Sequence, residues 1–184
     1  MAIGCFAEVF QEIEGLSCKY VDAMLPVLMR GLSDDMEAVR RNSAFCVGVL
    51  VEQCGPAVAP YHLSFLQWLH PVCSRKESQT GSDTGGADTD NALSAVSKMI
   101  KMSPETIPID QVLPVMIAAL PLRSDFSEGQ TVYGCIIHLT ASGNATAVAL
   151  RPQIIEKLSL VLAPANTVDT PESKALVESF LKSI

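Results

Sequence analysis

Three histidines, six cysteines and a set of scattered carboxylates carry most of the chemical potential of this 184-residue sequence. Their spacing decides what they can do. His62, His70 and His138 form no His-Glu-x-x-His arrangement and have no fixed pairing with an acid, so they supply neither a zinc pair nor an obvious general base. His70-Pro-Val-Cys73 brings two metal-ligand types close together, but a structural zinc site needs four ligands and no second pair is spaced to match. Gly81-Ser-Asp-Thr-Gly-Gly86 is glycine-rich, yet no lysine follows at P-loop spacing and no strand precedes it. Cys5, Cys18, Cys46, Cys54, Cys73 and Cys135 contain no Cys-x-x-Cys pair. Most sit in apolar runs where a thiol packs as a small hydrophobe, which implies a reducing compartment. The sequence predicts no catalytic residue, no cofactor and no metal.

Groups that bind rather than react are better represented. Asp34, Asp35 and Glu37 gather at a predicted helix start, where acids cap and complement the helix dipole. Glu8, Glu12 and Glu52 lie on predicted helices away from the densest apolar stripe. Asn42 and Asn91 sit near two helix starts, where side-chain amides either hold the backbone of an extended peptide or link repeat to repeat; both uses stay open. Trp68, the only tryptophan, reads as core filler. With 13 Lys plus Arg against 20 Asp plus Glu, the net charge of −7 disfavours phosphate and anionic lipid and favours a basic protein partner.

The elements that must position these residues are helices. The chain is 48% hydrophobic but only 5% aromatic, a balance of Leu, Val, Ala, Ile and Met that suits helix-on-helix packing. Val21, Met24, Leu25, Leu28, Met29 and Leu32 repeat at intervals of three and four, marking one helical stripe. A second run from Val39 to Val51 ends at Gly55-Pro56, with Asp34 and Glu37 at capping-box spacing before it. The pattern returns three times: Leu63 to Cys73 with Leu93 to Ile100, Val112 to Leu120 with a helix through Leu139, and Ile154 to Leu162 with Leu176 to Ile184. Ser127 to Gln130 has capping-box spacing, and Thr170-Pro171 reads as N-cap and N1.

Phe6, Val9, Phe10 and Ile13 mark a helix with no partner before it, as in a segment cut from a longer array. The fold class is therefore all-α: a right-handed α-α superhelix of about nine antiparallel helices, paired at a period of about 40 residues. Residues 74–88 hold a single apolar residue and three glycines, so a mobile insertion loop is expected there. No apolar run reaches the roughly 20 residues that cross a bilayer, and the first residues lack the basic start of a secretory signal.

Leu25-Pro26 in a first helix, Asp34 or Asp35 in the turn and Val39-Arg40 opening the second helix match the HEAT-repeat consensus, and Leu113-Pro114 repeats its first part. Three longer stretches carry a closer likeness: Glu37 to Glu52, Asp90 to Val96, and Gln111 to Asp125 with its Leu-Pro-Leu-x-x-Asp sequence. On these the chain resembles the C-terminal repeats of the β-karyopherin (importin-β) family of nuclear import receptors. The resemblance implies a non-enzymatic receptor that shuttles between cytoplasm and nucleus. Its partners would be basic cargoes such as histones and ribosomal proteins, nucleoporins, and the GTPase Ran, bound through N-terminal repeats outside this sequence. Glu8, Glu12, Asn42, Glu52 and Asn91 are then the candidate cargo contacts. A static HEAT-repeat scaffold, such as a phosphatase regulatory subunit, shares the fold, and a HEAT-like DNA glycosylase is a remote alternative that the acidic charge opposes.

Overall fold

A computed structural model describes residues 2–75, 86–163, 166 and 168–184. The segment expected to form the insertion loop lies mostly outside these residues. Among the described residues, nine long α-helices and one short one follow in order: α1 (Ala2–Ile13), α2 (Val21–Leu32), α3 (Glu37–Cys54), α4 (His62–Cys73), α5 (Ala87–Met102), α6 (Ile109–Ala119), α7 (Gly129–Ala141), the five-residue α8 (Ala145–Ala149), α9 (Arg151–Val161) and α10 (Pro171–Lys182). Among the described residues there is no strand. The helices form two layers. One row runs α1, α3, α5, α7 and α10, each packed on the next; the other runs α2, α4, α6 and α9, with α8 beside α6. α2 lies against α3, α4 against α5 and α9 against α10, so the chain is an all-α solenoid whose core is the seam between the rows. Phe65, Leu50, Leu69, Leu93, Leu113 and Ile136 fill that seam without exposed surface, each stabilising the fold by about 1.5–3 kcal/mol.

Local signals act differently from their sequence reading at three points. Pro26 and Pro114 are each the sixth residue of their helix rather than an early one, so each removes one backbone hydrogen bond from a helix interior. Glu37 does not close a capping box on α3; its Oε1 accepts from the backbone N–H of Gly86 and Ala87, at 3.0 and 3.1 Å, and so caps α5. The Ser127–Gln130 box is also unmade, because Phe126–Glu128 forms a 3-10 turn and Ser127 donates to Asp125. Thr170 does cap α10, accepting from Ser173 N at 3.2 Å with Pro171 in the first turn.

Helix α5 is the centre of the array. Every residue from Ala87 to Ile100 is buried, polar ones included, although a helix of ordinary polarity presents one face to water. Neighbours on three sides account for this: α3, α4 and α7 all pack on α5. Composition assigned Asp88 to the loop, but it lies in the first turn of α5, fully buried, with its Oδ2 2.6 Å from Arg40 Nε. Arg40 in turn donates through Nη1 to the carbonyls of Asp34 and Asp35, at 2.8 and 2.7 Å. Thr89 donates to Val72 O at 3.2 Å. The Asp90 carboxylate accepts from the backbone N–H of Arg123, Ser124 and Asp125, the shortest contact being 2.7 Å. Burial pushes the Asp90 carboxyl up, and these three donors act in the opposite direction.

The two sides of α5 are joined differently. Toward α3 the approach is close along its length: a β-carbon at Gly48 would stand 3.6 Å from Ala95 Cα. Toward α7, Asn91 donates to Asp125 and Ser94 to Glu128 in the segment just before that helix, and Ser97 meets the Cys135 thiol of α7 itself. Beyond them the two helices line a cleft of about 850 Å³.

A buried ion pair is costly to break from one side because the partner keeps its charge without compensation. Asp88→Ala is expected to lower unfolding free energy by about 3–5 kcal/mol. The double variant Arg40→Met with Asp88→Leu should lose less, and urea unfolding of the three proteins measures the difference.

Candidate functional site

The five candidate contacts do not share one surface. Glu8 and Glu12 are exposed one turn apart on α1, so they project from a common helix face. Glu52 lies near the C-terminal end of α3; its side chain is 44% exposed, and its Oε2 is 2.9 Å from Lys98 Nζ. Asn42 faces backward along the array, its amide 3.3 Å from where a β-carbon of Gly4 on α1 would stand. Asn91 faces forward. Only 3% exposed, it donates from Nδ2 to Ala87 O and Asp125 Oδ2, both at 2.9 Å. The two asparagines thus point to opposite neighbours instead of forming one ladder, and the Asn91 amide is used between repeats. Helical phase explains this: Asn42 is the sixth residue of α3 and Asn91 the fifth of α5, and one residue turns a helix by about 100°.

Among the described residues, two of the concavities between helices lie at α5–α7 and at α4–α6. The α5–α7 cleft is lined by Lys98, Lys101, Gln130, Thr131, Cys135 and His138, with Glu52 at its α3 edge. Between α4 and α6 a groove of about 430 Å³ has walls of Leu63, Leu66, Val112, Val115 and Met116. His70 and Cys73 both line this groove, but among the described residues no group of three His, Cys, Asp or Glu side chains could hold a metal ion. Trp68 is half-buried and meets Phe65 edge-on at 5.9 Å. The six thiols are free, and burial pushes Cys46 and Cys73 up to about 12 and Cys135 to about 11. At neutral pH such thiols stay protonated and pack as apolar groups. Among the described residues, no helix is long and apolar enough to cross a membrane.

The polar residues that fix the site's shape are Arg40, Asp88, Asp90 and Lys98, none of which stood out as a site residue in the sequence. Asp88-Thr-Asp-Asn91 immediately before the Leu93, Val96, Met99 stripe was a usable signal, because acids concentrate in the first turn of a helix.

A HEAT-repeat family model matches residues 24–54, which cover most of α2 and all of α3. The chain is 28% identical over 184 residues to a probable importin subunit beta-4 of Schizosaccharomyces pombe, covering 100% of this chain and 17% of that protein. It is 29% identical over 181 residues to importin-4 of Homo sapiens, covering 98% of this chain and 16% of that protein. The corresponding figures for importin-4 of Mus musculus are 28% over 182 residues, 98% and 16%. The chain is a helical solenoid with a HEAT-repeat match in its first part and sequence similarity to importin-4 proteins along its length. It spans about a sixth of the length of these relatives. The HEAT match includes Arg40, so the side chain that ties α3 to α5 lies within the recognised repeat. The similarity extends through both concavities and both rows of helices, since it runs across the whole chain.

One histidine has an environment that fixes its protonation. His62 is fully buried, and its Nδ1 is 2.8 Å from Thr106 Oγ1. Thr106 spends its only hydroxyl proton on Ser103 O, so it accepts from His62 Nδ1–H and leaves the lone pair on Nε2. That nitrogen is buried with no hydrogen-bond partner. Protonating it would bury an unmatched N–H and a charge; desolvation therefore lowers the His62 pKa below 6.5, against a smaller upward pull from Glu105. The unfolded chain protonates first, so stability held above pH 6.5 is lost as pH falls below it. Denaturant melts between pH 7.5 and 5.5 should show a loss for wild type of at most about 1.4 kcal/mol per pH unit from this group. His62→Gln should flatten that slope.

Proposed function

We propose that this chain is part of the cargo-binding arch of a karyopherin-type nuclear import receptor, and that it receives Lys/Arg-rich segments of proteins such as histones or ribosomal proteins. The observation that carries the reading is importin-4-like sequence across the whole of a two-row helical solenoid. The net charge of −7 supports the sign of the ligand. Charge complementarity raises the encounter rate with basic segments, and apolar contacts then lengthen residence. In this role the chain is a carrier and not an enzyme. The whole receptor shuttles between cytoplasm and nucleus, meeting nucleoporins and releasing cargo on binding Ran through other repeats.

Glu8 and Glu12 are the best-placed acids for such a ligand, being exposed on one face of α1. Glu52 contributes less freely, because part of its carboxylate already serves Lys98. Asn42 offers an amide at the α1–α3 junction, whereas Asn91 spends its amide on Ala87 and Asp125.

Solvent-exposed charge pairs contribute about 0.2–1 kcal/mol each. Glu8→Gln with Glu12→Gln should therefore weaken binding of a fluorescent histone-tail peptide by roughly two- to thirtyfold, leave helicity unchanged and reduce the salt dependence of what remains. Acidic and neutral peptides of equal length serve as controls. Equal binding of acidic and basic peptides, or no effect of the double substitution, would count against the reading.

A further inference from the structure

Lys98 is an unusual cation for the wall of a surface that is read as attracting cations. Its side chain is only 10% exposed. The stem lies across Gly48, where a β-carbon would stand 3.3 Å from Lys98 Cδ and 3.5 Å from Nζ. The missing side chain at position 48 thus provides the channel in which the lysine runs from α5 to α3. At the end of that channel Nζ meets Glu52 Oε2 at 2.9 Å, and Glu52 is the more exposed member of the pair. Among the described residues, no other hydrogen bond or ion pair is made by either side chain. A basic ligand that approaches Glu52 therefore meets a carboxylate whose charge is already opposed by a fixed ammonium behind it.

We propose that Lys98 is a built-in counter-ion that competes with ligand cations for Glu52 and so sets how strongly the α3–α5 surface holds a basic peptide. This rests on the function proposed above. The ammonium cannot withdraw far, because its stem is held between α3 and α5. An incoming Lys or Arg must share the carboxylate with it and bear the like-charge repulsion. Only a ligand with further contacts elsewhere on the array gains enough to offset that repulsion. The pair would thereby select multiply basic segments over isolated positive charges.

Lys98→Met keeps the stem and removes the charge. Binding of a fluorescein-labelled Lys/Arg-rich peptide should be measured by polarisation for wild type, Lys98→Met, Glu52→Gln and the combined variant, with circular dichroism to check folding. Lys98→Met is expected to tighten binding roughly two- to fivefold at low salt, and to produce no tightening when Glu52 is already Gln. Lys98→Gln should give the same result if the methionine variant folds poorly. Unchanged or weaker binding by Lys98→Met overturns the proposal. So does equal tightening with and without Glu52, which would be a net-charge effect, and so does the absence of binding by wild type and Lys98→Met alike. Wild-type binding that depends on Glu8 and Glu12 but not on Lys98 would remove this inference and leave the cargo reading standing.

Discussion

The contact between Arg40 and Asp88 is the constraint on which the rest of the arrangement depends. It takes two opposite charges out of water, which is tolerable only when geometry is good and the remaining donors are satisfied. Both conditions hold, since the guanidinium also reaches the carbonyls of Asp34 and Asp35. One side chain thus ties the turn before α3, the body of α3 and the first turn of α5. The α5 start is held a second time by Glu37, whose carboxylate takes the first two exposed N–H groups of the helix. With its N-terminus fixed in this way, α5 can lie between α3, α4 and α7 with every side chain through Ile100 buried.

That burial decides which acids remain available to a partner. Asp88 and Asp90 are consumed inside the array by a guanidinium and by backbone donors, so they add to the formal charge without adding to the field that a ligand meets near the surface. The exposed acids of α1 do face water. Net charge is therefore a coarse guide to the sign of the surface, and the location of each carboxylate is the finer one.

The layered helical fold was legible because its signal is redundant: each stripe repeats every three to four residues, and an error of two residues at one end leaves the face unchanged. The cap at Thr170 was legible because it is a local event. The role of Glu37 was not, since its partner lies 49 residues away in sequence. For the same reason Asp88 was grouped with a polar loop: its neighbours in sequence are polar, while its neighbour in space is Arg40. Asn42 and Asn91 looked equivalent by distance from a helix start, yet a one-residue difference in phase sent them to opposite sides.

The two joints of α5 also differ in the kind of contact that holds them. Against α3 the backbones meet at Gly48 and are bound by Arg40 at one end and Lys98 at the other, so bending that joint would require separating buried charges. Toward α7 the ties are hydrogen bonds, from Asn91 and Ser94 to the segment before that helix and between Ser97 and Cys135 beside the cleft. Any movement there also works against the buried Asp90 carboxylate, which holds the backbone N–H groups of Arg123, Ser124 and Asp125. The array is thus braced by side-chain charge pairs on one side of α5 and by a carboxylate on backbone donors on the other, so removing charge from Arg40 or from Asp90 would release a different neighbour of the same helix.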